Sequence, residues 1–344
     1  MTNTTESSGP ELADILASLR KDYKSLSARI RALQHSITCE YEGVSLRLHY
    51  PSFRGTESTI HDLTESVFLY LTPFALSRLE IAEVDSLYGK LTADEFRLKT
   101  VRLQQKAVRL FKLAQKATNR NGEAGELLLY LLTEWVLGAP QILAKMALKT
   151  NSQMAVHGPD GVHVRFDPAT QQLHFLCGES KIYSDLGKGV AAAITSIEEA
   201  LDEEKLKFEL ELVERNIALT ALGEEAKAAL IRYLDPFEEE SNQRVTVTTC
   251  FIAFDFDAYA KVKGLKPSEV EAAFEKAAHQ QLSELASRVA NSLKKAGLEN
   301  HSIEFFFFPL PSVAGFRDLF QDKIGWSVPA DGGGQPSGTT GENG

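Results

Sequence analysis

Apolar residues recur along this chain with two periods, and each change of period marks an element. Between Glu11 and His35, Leu12, Ile15, Leu16, Leu19, Tyr23, Leu26, Ile30 and Leu33 return every three or four positions, which predicts one amphipathic helix. Ile37 to Tyr50 alternates instead and turns at Glu42-Gly43, so a pair of strands is expected. His61 to Leu79 reads as helix, interrupted at Pro73. Residues 93–117 keep an apolar face through Phe96, Val101, Leu103, Val108, Leu110 and Leu113 and predict a long helix, stopped by a loop at Asn119–Gly122. Gly125 to Gly138 is a further helix, with Glu126 among leucines, Tyr130 and Trp135. Ala139-Pro140 is expected to open another, carrying Lys145 and Lys149.

Period two returns at Val162, Val164 and Phe166 and again at Leu173, Phe175 and Cys177, with turn residues Asp167-Pro168-Ala169-Thr170 between them. A hairpin follows from that pattern. Ser184-Asp185 then offers a helix cap before a run of small residues from Gly187 to Ala193, and helical spacing continues with breaks to Leu234. Arg244–Phe254 reads as strand, Pro267–Ala296 as a long helix, and Phe305–Phe308 as a buried aromatic strand. Helices interleaved with strands predict an α/β fold, a mixed central sheet flanked by helices. The expected division is a disordered start (1–10), an N-terminal α+β region (11–92), a larger α/β domain (93–328) and a disordered Gly/Ser/Thr/Pro-rich tail (329–344).

The hairpin carries the candidate chemistry. If its second strand runs on through Lys181, Glu179 and Lys181 share one face, and Asp160, opening the first strand, comes beside Glu179. Two carboxylates and an ammonium then converge. Hard divalent ions such as Mg²⁺ or Mn²⁺ take carboxylate oxygen. A bound ion activates water and offsets phosphate charge, while a lysine positions or helps deprotonate that water. Any surface hairpin can hold Asp, Glu and Lys, so the setting matters. These acids end an apolar strand rather than sit in a charge run, and glycines at Gly158, Gly161 and Gly178 let a ligand approach the backbone. Glu126, on the preceding apolar helix, needs a metal, a lysine or water if it is buried, and a solvated edge otherwise.

Charge constrains the partners. The formal net charge is −10, awkward for a protein that grips DNA by neutralising phosphates, so basic contacts must be local or a partner must supply the grip. A basic stretch runs through Arg97, Lys99, Arg102, Lys106, Arg109, Lys112, Lys116 and Arg120, while acids gather at 198–214 and 235–240 as solvated faces. Lys145 and Lys149, one helical turn apart, and Lys188, in the first turn after the cap, are further candidates for nucleic-acid contact, although solvated faces explain such lysines as readily. The three cysteines, Cys39, Cys177 and Cys250, have no metal-type spacing and read as buried thiols of a cytoplasmic protein. His157, His163 and His174 flank the hairpin without zinc spacing, and His163 and His174 are expected to pack against the sheet. No apolar run is long enough to cross a membrane.

The order helix, hairpin, Asp, Glu-x-Lys, helix resembles the core of the PD-(D/E)XK nucleases. Gly125–Tyr130, Lys145–Thr150, His157–His163, Gly178–Lys181 and Phe305–Pro311 narrow it: in their order and spacing they resemble the HamA family, nuclease subunits of the bacterial Hachiman anti-phage system, over about residues 40 to 325. That resemblance implies a Mg²⁺-dependent deoxyribonuclease with Asp160 and Glu179 on the metal, Lys181 at the attacking water and Glu126 in support. It also implies a HamB-type superfamily 2 helicase as partner, with DNA as substrate. Two other readings stay open: a stand-alone restriction- or repair-type endonuclease, and a nuclease-like module that only binds DNA or the helicase.

Overall fold

A computed structural model describes residues 9–33, 37–118, 122–149 and 160–325. Helix α1 (Gly9–Ser18) leads through a 3₁₀ turn (Lys24–Ala28) to strands β1 (Ile30–Ala32), β2 (Ile37–Thr38) and β3 (Val44–Pro51), then to a small ribbon of β4 (Phe53–Arg54) and β5 (Glu57–Ser58). Helices α2 (Ile60–Phe68), α3 (Leu71–Ala75), α4 (Arg78–Asp85), α5 (Ala93–Thr118) and α6 (Glu123–Val136) follow. After β6 (Gln141–Leu143) and α7 (Lys145–Lys149) come the hairpin strands β7 (Gly161–Asp167) and β8 (Gln172–Ile182). The chain continues through α8 (Leu186–Ala200), α9 (Glu203–Arg215), α10 (Glu224–Leu234), β9 (Arg244–Asp255), α11 (Ala258–Lys261), α12 (Pro267–Lys295), β10 (Ser302–Leu310) and α13 (Val313–Ile324).

The architecture is α/β, with a mixed central sheet in the order β1-β3-β10-β9-β8-β7-β6, β2 pairing beside β1 on β3. β3, β10, β9 and β8 run parallel, while β7 and β6 on one side and β1 and β2 on the other are antiparallel to their neighbours. Parallel strands are covered on both faces, and β10 shows why four consecutive phenylalanines suit it. Phe306 and Phe308 enter a core with α2, α3, α5, α6 and α13, and Phe305 and Phe307 enter the opposite core with α8 and α12. A third core joins that second face of β7 and β8 to α1, α9 and α10. The segment 11–92 lends β1, β2 and β3 to this same sheet.

Two expected helices take another form. The stripe from Leu12 to Leu33 is broken into α1, a 3₁₀ turn and β1, although most of its apolar residues are buried. Leu12 and Leu16 belong to the core under β7 and β8, whereas Tyr23, Leu26 and Ile30 belong to the core on the other face. One straight helix cannot enter cores on opposite sides of a sheet, so the chain turns between them. After Ala139-Pro140 comes the edge strand β6 rather than helix, and only the one-turn α7 follows. Gln141, Ile142 and Leu143 are all buried, and pairing with β7 outweighs their helical spacing. The terminal segments 1–8 and 326–344, with the expected disordered tail, lie outside the described residues.

Candidate active site

The hairpin sets the site. In β7 and β8, Val162 lies opposite Cys177 and Gly161 opposite Gly178, and Asp160, just ahead of β7, comes close enough for its charge to act on Glu179. The backbone fixes that approach: Asp160 donates its N–H to the Gly178 carbonyl at 2.6 Å, and its carboxylate accepts the Ser180 N–H at 2.9 Å. Two positions on, Lys181 reaches back along the same face and donates to Glu179 at 2.5 Å. Both side chains are mostly covered, with 21% of Lys181 and 16% of Glu179 exposed. Ser196 on α8 also hydrogen-bonds Glu179, so this face looks toward α8.

The electrostatics follow from that crowding. Burial, and then the Asp160 charge, push the Glu179 carboxyl above its usual range, against the bonds from Lys181 and Ser196. Burial alone disfavours the Lys181 ammonium, but its bond and charge interaction with Glu179, together with Asp160, outweigh this and raise its pKa. Lys181 is therefore an ammonium at neutral pH. Two carboxylates held together against their own repulsion make a donor set short of positive charge, which fits a hard cation. Among the described residues no group of three or more His, Cys, Asp or Glu side chains stands ready to hold a metal.

Glu126 comes from the other face. A Cβ on its neighbour Gly125 would lie 2.4 Å from Ser180 Oγ and 2.8 Å from Ile182, so α6 packs on the side of β8 that Glu179 and Lys181 leave. That close approach is why glycine stands at 125. Glu126 and Asp160 line one narrow crevice together with Gly161, Gly178, Tyr130 and His163. The structure thus brings Asp160, Glu179 and Lys181 together, and Asp160 also shares a crevice with Glu126.

A family model for HamA matches residues 12–324. The chain belongs to the HamA family. Its members are components of the Hachiman anti-phage system. No curated protein matches the chain. No described helix is long and apolar enough to cross a membrane.

Within this HamA chain the candidate DNA lysines have different surroundings. Lys145 is 1% exposed and sits 2.5 Å from the equally buried Glu209 of α9, so its charge is engaged inside the protein and is closed to a phosphate. The Lys149 side chain and His157 lie outside the described residues. Lys188 is exposed in the first turn of α8, where its N–H meets the capping Asp185 carboxylate at 2.7 Å. The basic face of α5 is partly engaged: Arg97 pairs with Asp94, Lys106 with Glu80, and Lys112 with the Gly325 carbonyl. The side chains of Lys116 and Arg120 lie outside the described residues. Cys39, Cys177 and Cys250 are buried free thiols.

Sequence reasoning singled out Glu126 on α6 and missed Glu134, two turns along the same stripe. Glu134 is buried and accepts from Arg78 at 2.8 Å, from the Gln141 N–H at 2.7 Å and from Tyr23. Tyr23 also bonds Tyr130 at 3.2 Å. Nearby, burial lowers His163 to about 4, and its Nδ1 lies 2.9 Å from the Ala139 carbonyl. A neutral ring donating from Nδ1 satisfies both. The spacing Glu126, Tyr130, Glu134 (four apart each time) was the available signal: it is a polar stripe inside an otherwise apolar helix.

Proposed function

We propose that this chain is a metal-dependent DNA nuclease that works with a helicase partner in anti-phage defence. The observation that carries the reading is the convergence of Asp160 and Glu179 from adjacent strands with the Lys181 ammonium 2.5 Å from Glu179. Asp160 and Glu179 would hold Mg²⁺ or Mn²⁺, and such an ion, when bound, lowers the pKa of a water and offsets charge on the phosphate. Lys181, beside Glu179, positions the attacking water and faces the negative charge that develops on the phosphate. Glu126 supports Asp160 from the shared crevice.

The partner follows from charge as well as from family. A net charge of −10 and a basic helix whose cations are partly engaged leave weak purchase on DNA. A helicase of the HamB type would deliver the strand. A second reading is a nuclease-like module that only binds DNA or the helicase. It draws on the placement of α6, which carries Glu126, on the side of β8 away from Glu179 and Lys181.

One experiment separates them. The chain, purified with and without its helicase, is assayed for DNA cleavage with Mg²⁺ and with chelator. Cleavage by the pair that needs Mg²⁺ or Mn²⁺ supports the nuclease. Defence that persists when Glu179 and Lys181 are both alanine supports the binding module. Metal-dependent cleavage by the chain alone, with tight DNA binding at physiological salt, supports a stand-alone endonuclease.

A further inference from the structure

The end of the sheet opposite the site carries a groove of about 960 Å³, between α9 and the Leu234–Phe237 segment that follows α10. Leu206 and Leu210 of α9 and Pro236 form its apolar lining, and Phe237 stands on its rim with 94% of its surface exposed. A phenylalanine left in water at the mouth of an apolar groove marks a surface that another molecule covers.

The surrounding charge says what kind of molecule. Glu203, Glu204, Glu214 and Asp235 border the groove. Of its cations, Arg215 is paired with Glu211 at 2.8 Å, and Lys207 and Arg244, which donates to the Tyr233 carbonyl at 2.8 Å and keeps its charge, stand against those four acids, so the rim is net negative. Such a rim repels phosphate, so nucleic acid does not belong here. On α9 the groove-facing positions Glu203, Leu206, Leu210 and Glu214 follow helical spacing, the arrangement that accepts another helix through its apolar stripe. Leu173, which starts β8, pairs with Arg244 at the groove, whereas Glu179 and Lys181 lie toward the other end of that strand. An occupant therefore leaves the candidate active site open.

We propose that this groove binds a basic amphipathic helix of a partner protein, with the apolar stripe of that helix over Phe237 and its lysines or arginines facing the acidic rim. The probe is a labelled helical peptide of about 18 residues with a leucine stripe and lysines elsewhere, long enough for about five turns. Its binding to the full chain is followed by fluorescence anisotropy. Two control peptides carry the same composition with the stripe scrambled, or glutamate in place of lysine. The designed peptide should bind at least about tenfold more tightly than either control and weaken as salt rises. Phe237→Asp and Glu214→Lys, both surface changes, should each weaken it at least about tenfold, while Lys181→Ala leaves it unchanged. Equal binding of the scrambled peptide, or full binding by both groove variants, overturns the proposal. So does self-association of the chain in sedimentation that Phe237→Asp abolishes. In that case the occupant is a second copy, whose α5 offers exposed Leu98 and Val101 among basic residues.

Discussion

Glu134 is a buried carboxylate and Glu179 a mostly covered one, each beside a cation, yet their surroundings differ in kind. Glu134 has a surplus of donors: the Arg78 guanidinium, the Tyr23 hydroxyl and the Gln141 N–H all point at it. Glu179 has the Lys181 ammonium and the Ser196 hydroxyl, and it faces a second carboxylate, Asp160, that repels it. A saturated carboxylate locks α6, α4, β6 and the N-terminal segment together. A carboxylate short of positive charge asks for a cation. Burial alone does not set the two acids apart; the balance of donors around each does.

The sharpest way to break this contrast is to remove each acid. Lys181→Ala and Glu179→Ala should each lower DNA cleavage by the helicase-bound chain by at least about 100-fold, with the melting temperature nearly unchanged. Glu134→Ala should instead strip the mostly covered Arg78 of its carboxylate and cost about 3–5 kcal/mol, seen as a large fall in melting temperature. Full cleavage by a folded Lys181→Ala protein would remove the catalytic assignment. A stable Glu134→Ala protein would show that the donors, not the acid, hold the network.

Lys145 and Lys188 extend the contrast to cations. Lys145→Ala leaves Glu209 buried without its ammonium and should destabilise by about 3–5 kcal/mol in denaturant unfolding, with DNA affinity per folded molecule unchanged. Lys188→Ala should fold normally. If Lys188 contacts a phosphate, the salt dependence of DNA binding by the helicase-bound chain should lose about one unit of slope. The opposite pattern, with Lys145 governing affinity, would mean that α7 and α9 separate when DNA binds.

The smallest effect tests the charge deficit itself. The Glu179 carboxyl is raised, so the native state keeps its proton to higher pH than the unfolded chain does. Its contribution to stability is complete at pH values below the ordinary carboxylate range and is lost as pH rises through the raised value. In chelator, the melting temperature of the wild type relative to Asp160→Asn should therefore fall across that window. Mg²⁺ should reverse the fall in the wild type and do little for Asp160→Asn. A difference that stays flat with pH and with Mg²⁺ would mean that the two carboxylates do not share a cation.

How far the chain could be read without its structure depends on whether the deciding contacts are local. Period-two alternation placed β7 and β8, and their register up to Gly161 and Gly178 left Asp160 near Glu179, because a two-fold side-chain repeat leaves little freedom once the turn is set. The Ser184-Asp185 cap, the basic helix α5 and the buried aromatic strand β10 were equally legible, each from residues within a few positions of one another. The stripe from Leu12 to Leu33 was not. Helical spacing reports that its residues are buried, but not that they enter cores on opposite faces of a sheet formed by strands up to about Leu310. The burial of Lys145 against Glu209, the engagement of Glu134 by Arg78 and Tyr23 and the arrival of Glu126 from the far side of β8 all join residues distant in sequence. The amino-acid sequence determined which candidate residues one hairpin brings together. Tertiary structure decided which charges face solvent and which are spent inside, since desolvation and partner geometry belong to the packed molecule and not to any segment of it.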